Sequence, residues 1–233
     1  MNDRNYKKRD RSPSGNHFAG RTATKMQLKE RRPLTESVTL IGVGAVGRQM
    51  AILLTAQGIR KLQLIDGQVV QRRHICTQGF LADDVGRPKV HAVADLCQQI
   101  DPHLDVSEEF GRFRSGMPLH GIVFCCASKD SVRTRIRRSV KAEHPFWGEA
   151  VIQGEVIRVA TATSSHRSNF ASTAAAEVNL PAGKELKSKL PLATMAAALL
   201  VRQFIRFAEG LPNEGDIVID LVAGKYLRGP TNG

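Results

Sequence analysis

The chain has 233 residues, 42% hydrophobic and 24% charged, with a formal net charge of +12. That composition suits one globular domain with a sizeable core, and no apolar run approaches the ~20 residues that a bilayer span needs. The basic, polar N-terminus has no apolar h-region of the kind a secretory signal carries. The four cysteines (Cys76, Cys97, Cys125, Cys126) include no CxxC pair. They indicate neither a zinc site nor a disulfide framework, and a reducing cytoplasmic compartment is the expectation.

Residues 1–33 hold ten Lys/Arg against three Asp/Glu, or +7, which leaves 24 against 19, or +5, for the rest. Most of the excess charge therefore sits on a tail rich in Asn, Ser, Arg and Lys. Its composition predicts a solvated arm over 1–33 ahead of one folded domain over 34–233. Any contact with nucleic acid is expected through this arm.

From there, "VTLIG" reads as a buried strand and "AVGRQMAILLTAQG" as a helix, with Val46, Met50 and Leu54 on one stripe and Gly58 at its stop. "KLQLID" is a second strand. "RPKVHAVADLCQQI" is a helix with Pro88 near its first turn and Val90, Val93, Ala94, Cys97 and Ile100 on its apolar face. "LDVSEEF" and "GIVFCC" are strands, and a helix from about Ser128 carries Val132, Ile136 and Val140. This alternation predicts βαβ units and a largely parallel sheet. In the second half, "FWGEAVIQGEVIRVATA" reads as a hairpin turning at Gln153-Gly154. Residues 163–190 read as an exposed crossover, "PLATMAAALLVRQFIRFAEG" as a helix from Pro191 to Gly210, and "DIVIDLV" as the last strand. The predicted class is α/β: a Rossmann-like, doubly wound, mostly parallel sheet with additional antiparallel strands in the C-terminal half.

Gly42, Gly44 and Gly47 spell GxGxxG between a strand and a helix. The first glycine permits the turn, the second lets phosphate approach the backbone, and the third lets the helix pack on the strand. Ala45 and Val46 lie between the last two glycines, so their amides belong to the same anion-binding loop. Asp66 ends the next strand, where a carboxylate can accept hydrogen bonds from a ribose. Nucleotide binding is the expectation, against the alternative that these glycines serve a tight turn alone.

The succession GVGAVG, LIDGQVV, DVGRPKV and NFAS…KLPLATMAAALLVRQFIRF resembles the adenylating superfamily of ThiF, MoeB and HesA proteins and ubiquitin-activating enzymes, over roughly residues 36–228. "GRPK" at 86–89 is its most telling piece. The resemblance implies ATP with Mg2+, a homodimer, and adenylation of the C-terminal carboxylate of a ubiquitin-like or sulfur-carrier protein. It assigns Lys89 to phosphate, Asp66 to ribose and Gln78 to the nucleotide site. Three positions depart from the family pattern. In "HICTQ", His74 falls at the family's asparagine and Thr77 at its arginine; Arg72 and Arg73, just upstream, are the candidates to supply the guanidinium. Ser128 falls at the magnesium-binding aspartate and keeps a place in the nucleotide set. Asp130, two residues on, is the candidate replacement as metal ligand, or else a helix-first-turn acid.

No cysteine occurs in the crossover. Cys97, Cys125 and Cys126 read as core, and Cys76, in a loop beside Arg72 and Arg73, is the one candidate nucleophile among them. His74 reads as a packed or solvated loop histidine. The leading function is an ATP-dependent adenylyltransferase homologue. The alternatives are a non-catalytic ATP- and partner-binding relative, or an NAD(P)-binding oxidoreductase.

Overall fold

The computed structural model describes residues 34, 36–140, 143–164 and 189–229. The arm over 1–33, the NFAS segment and the crossover between 165 and 188 lie outside the described residues.

Four strands of four or five residues start the fold. β1 (Ser37–Ile41), β2 (Lys61–Ile65) and β4 (Ile122–Cys125) are buried over almost their whole length, whereas β3 (Asp105–Glu109) is a charged edge. An edge strand rich in acids resists pairing with another chain. β5 (Phe146–Gln153), β6 (Val156–Thr163), β7 (Ile217–Asp220) and β8 (Lys225–Arg228) complete one sheet of order β3-β2-β1-β4-β5-β6-β7-β8. β1 to β5 run parallel, and each pairing from β5 onward is antiparallel.

Side chains alternate between the two faces of a strand, so neighbouring residues of β1 enter different cores. Leu40, Leu62, Leu64 and Phe124 face α1 (Ala45–Ala56), α3 (Lys89–Ile100) and α5 (Leu190–Ala208) in the larger core. Ile41, Ile65, Val123 and Cys125 face Phe113 and Ile136 of α4 (Asp130–Ser139) in the smaller one. Gly148 makes the larger core possible. A Cβ there would stand 2.8 Å from the Phe124 ring and 3.0 Å from Leu200.

The elements follow the sequence pattern with four differences. The hairpin loop is Gly154-Glu155, one residue later than expected, because Gly154 takes the positive φ of 57° and Gln153 still pairs with Val156. β7 is followed by β8, a short strand exposed on both faces that carries no apolar alternation. The segment read as a loop around His74 is a helix, α2 (Arg73–Gln78), stopped by Gly79 at φ 78°. Finally, α5 is by length and composition apolar enough to cross a membrane, with 19 residues and a hydropathy of 1.3. Its stripe Leu192, Ala196, Leu200 and Phe204 is buried in the larger core, and Arg202 and Gln203 bond Glu214. That is the setting of a core helix.

Candidate nucleotide site

β1 continues to the crossover that builds β2 and β3 on one side, while β4 pairs on its other side. The strand order thus reverses between β1 and β4, and the carboxyl ends of the strands at such a point are where open α/β sheets bind ligands. Gly42 to Gly47 occupy that point. Gly42 has φ 92°, donates its N–H to Ile65 O at 2.8 Å, and leaves room for the loop after β4. A Cβ on Gly42 would stand 3.1 Å from the Cys126 carbonyl, and one on Gly47 would stand 1.9 Å from Gly42 O. The glycines therefore answer a packing demand as well as a ligand's. The first intrahelical bond runs from Arg48 N–H to Gly44 O at 2.9 Å. The amides ahead of it, those of Ala45 and Val46 included, stand at the open positive end of α1.

Asp66 has a structural task beyond the ribose role expected of it. Its Oδ2 accepts the Val43 N–H at 2.9 Å and its Oδ1 accepts the Gln68 N–H at 2.8 Å. One carboxylate thus fixes the glycine loop to the segment leading toward α3. Gln68 in turn accepts the Lys89 N–H on its backbone oxygen at 2.9 Å and the Lys89 ammonium on Oε1 at 2.8 Å. Lys89 is 1% exposed and has no carboxylate within ion-pair distance among the described residues. Burial pulls its pKa below the ordinary lysine value, Asp66 opposes that, and Arg73 adds to it.

Gln78 brings an unsatisfied atom to the loop. Its buried Oε1 has no hydrogen-bond partner among the described residues and sits 3.4 Å from the place a Gly44 Cβ would take. Two residues on is Phe80, 2% exposed, with the Arg48 guanidinium carbon 5.4 Å and the Lys89 ammonium 5.9 Å from its ring centroid. His74, 6.4 Å from the same ring centroid to centroid, accepts the Gln71 N–H on Nδ1 at 3.0 Å. Burial, then the charges of Lys89 and Arg73, hold its pKa below the usual histidine value. His74 is thus a packed anchor of α2 rather than a loop residue.

The expected residues divide into two groups. Gly42, Gly44, Ala45, Val46, Gly47, Asp66, Gln78 and Lys89 come together in one cradle. Arg73 is exposed, yet its charge reaches both Lys89 and His74; Arg72 caps α2 from an exposed position. The Thr77 hydroxyl is spent on Arg73 O at 2.7 Å. Ser128 and Asp130 lie beyond β4, where Arg133 takes Ser128 O at 2.7 Å and Asp130 Oδ1 at 3.0 Å. The Asp130 side chain is 76% exposed on the first turn of α4. No group of three or more His, Cys, Asp or Glu that could hold a metal exists among the described residues. The described residues therefore build no protein-held Mg2+ site.

The cysteines stand apart from this chemistry. Cys125 is buried, with its thiol pushed up to about 12, and burial also raises those of Cys97 and Cys126. Cys126 is half-buried, its Sγ 3.6 Å from the Met50 sulfur. Cys76 is exposed, but on α2 rather than in a loop. Sequence reasoning missed Arg48, Gln68 and Phe80. Arg48 had a signal: it breaks the buried stripe of α1 formed by Gly47, Ala51, Leu54 and Thr55.

A glycine loop, an acid and a buried lysine thus stand together at the switch point of an α/β sheet. The sequence pattern of the ThiF family matches residues 25–218, and the chain belongs to that family. It is 25% identical over 138 residues to ubiquitin-like modifier-activating enzyme 5 of Caenorhabditis briggsae, covering 52% of this chain and 32% of that one. To adenylyltransferase and sulfurtransferase MOCS3 of Arabidopsis thaliana it is 33% identical over 91 residues, 37% of this chain and 19% of that one. The matched part spans about a third or less of these relatives. Among solved structures, E. coli MccB shares the fold at a TM-score of 0.67 and 18% identity, covering 83% of this chain and 61% of that one. MccB has also been crystallised with ATP.

Proposed function

We propose that this chain binds ATP at the Gly42–Gly47 loop and adenylates the C-terminal carboxylate of a small ubiquitin-like, sulfur-carrier or peptide partner. The observation that carries the reading is the Gln78 carbonyl oxygen, buried without a partner and facing Gly44, across a loop that also has a buried lysine paired to a neutral amide. Such groups are costly to bury unless something satisfies them. A nucleotide does so in two ways: its hydroxyl, amine or bound water can donate to Gln78, and its phosphates give Lys89 an anion.

In the reaction, a partner carboxylate oxygen attacks the α-phosphorus, forming an acyl adenylate and releasing pyrophosphate. Negative charge grows on the α-phosphoryl oxygens, and fixed cations and helix amides favour it. Lys89 and the amides of α1 are placed for this, with Arg73 close enough to add charge. The homodimer belongs to the same proposal.

A second reading has its own support. Thr77 and Ser128 stand where relatives carry an arginine and an aspartate, and Asp130 is engaged by Arg133. A binding protein without turnover fits those residues. ATP titration and pyrophosphate exchange separate the cases. Gly44→Val, whose side chain would enter the space in front of Gln78, should abolish ATP binding; unchanged affinity would remove the loop from the site. Exchange with a candidate partner supports the enzyme, while ATP binding without exchange for any carboxyl-terminal partner supports the binding protein.

A further inference from the structure

Arg48 follows the third glycine, one turn into α1, and is 7% exposed. Among the described residues its guanidinium has no ion pair and no hydrogen bond. The carboxylate acting on it most strongly, Asp84, is beyond ion-pair distance and already accepts the Leu81 N–H on Oδ2 and Arg87 on Oδ1. A buried cation without an anion is unfavourable, and an isolated ring beneath it offsets only part of that cost.

Its position says where the anion comes from. Helical side chains lean toward the N-terminus of their helix, and for α1 that is the end bearing the glycine loop. One of its terminal nitrogens stands 3.2 Å from the place a Cβ on Gly79 would occupy, next to the residue whose unsatisfied Oε1 faces Gly44. Its guanidinium and the Lys89 ammonium lie over the same Phe80 ring, 5.4 and 5.9 Å from the centroid. Two buried cations on one aromatic platform, beside an open helix N-terminus, form a concentration of positive charge that no described carboxylate neutralises at contact. Arginine suits such a place because its planar fork matches two phosphoryl oxygens.

We propose that Arg48 is the guanidinium of the phosphate site: beside Lys89, which meets the α-phosphate, it binds the β- and γ-phosphates of a nucleoside triphosphate. Arg48 then does from α1 what α2 does not do at Thr77. This rests on the ATP-binding reading above and adds to it a residue and a preference for triphosphate over monophosphate.

The test is calorimetric titration of the full chain with ATP, AMP and inorganic tripolyphosphate. The wild type should bind ATP more tightly than AMP, and tripolyphosphate should compete with ATP. Arg48→Gln should weaken ATP and tripolyphosphate by about tenfold or more, the scale of one charged hydrogen bond. AMP should stay within about twofold, because its one phosphate lies outside the subsite. If Arg48→Gln does not fold, Arg48→Lys decides: it keeps the charge, loses the fork, and should still lower ATP affinity selectively. Equal losses for ATP and AMP would show that Arg48 merely supports the loop, and an unchanged ATP-to-AMP ratio would likewise overturn the proposal. In both cases ATP binding itself stands. A wild type that binds no nucleotide overturns the broader reading, and this one with it.

Discussion

His74 illustrates how one residue can change role when its surroundings do. Its Nδ1 accepts the Gln71 N–H, so the ring proton of the neutral form resides on Nε2. Protonation would put a charge into a buried place beside Lys89 and Arg73; burial first, then those charges, holds its pKa below the usual 6.5. A base with a depressed folded-state pKa is protonated first in the unfolded chain. Between the two values the unfolded state holds more protons, and stability rises with pH. The stabilisation from neutral His74 is therefore complete above about pH 6.5 and is lost as the pH falls from there through the folded-state value. Urea unfolding across about pH 5 to 8 should show a steeper acid-side loss for the wild type than for His74→Asn. Parallel curves would mean that other groups set the acid limit. The sequence alone left His74 between packed and solvated; what decides it is the contact with Phe80, six residues on, and the charge of Lys89, fifteen on.

At the scale of elements, periodicity made the strands and long helices legible, and short or one-sided elements were not. α1, α3 and α5 each bury a stripe in the larger core, which is the signal that a 3.6-residue period reports. α2 has six residues, too few to nucleate a helix alone. It exists because Gly79 ends it in the left-handed region and His74 ties its first turn. β8 escapes reading for a similar reason: it is an edge strand held by pairing with β7. α4 shows a further case, since its sequence is mostly arginine and polar residues yet it lies on the sheet. Arg137 donates from Nε and Nη2 to the two oxygens of Glu149 on β5, at 2.9 and 2.5 Å, and Glu149 is 3% exposed. Glu149→Ala would leave that guanidinium partly buried without its anion. The expected loss is about 3 kcal/mol in urea unfolding. Replacing both partners with apolar residues, Arg137→Met with Glu149→Leu, should cost clearly less. Equal losses would show that the pair contributes no more than its packing.

For the whole molecule, the sheet's strand order turns a local glycine motif into a site. The loop, Asp66 and Lys89 were legible because each has a fixed place after a strand or at a helix start. Arg48 and Phe80 were not, because their meaning lies in a ring shared by two cations from different helices. This arrangement gathers Arg48 and Lys89 over one ring, while burial holds the core thiols protonated. If the chain is an adenylyltransferase, pyrophosphate exchange should therefore depend on Lys89 far more than on any cysteine. Lys89→Ala should lower exchange by about a hundredfold or more, the range for one lost transition-state donor. Cys76→Ser, on an exposed helix position, should leave exchange nearly unchanged, and so should Cys97→Ala, Cys125→Ala and Cys126→Ala in proteins that unfold cooperatively. Adenylation needs positive charge at the α-phosphate and no sulfur nucleophile, so the two classes of variant test different chemistry. Arg73→Ala completes the set. A large loss there would show that the exposed guanidinium closes over the phosphates when a partner is bound; no loss would leave Lys89 and the helix amides as the groups that stabilise the reacting phosphoryl. A cysteine essential to exchange, with Lys89→Ala silent, would move the reaction to another part of the molecule.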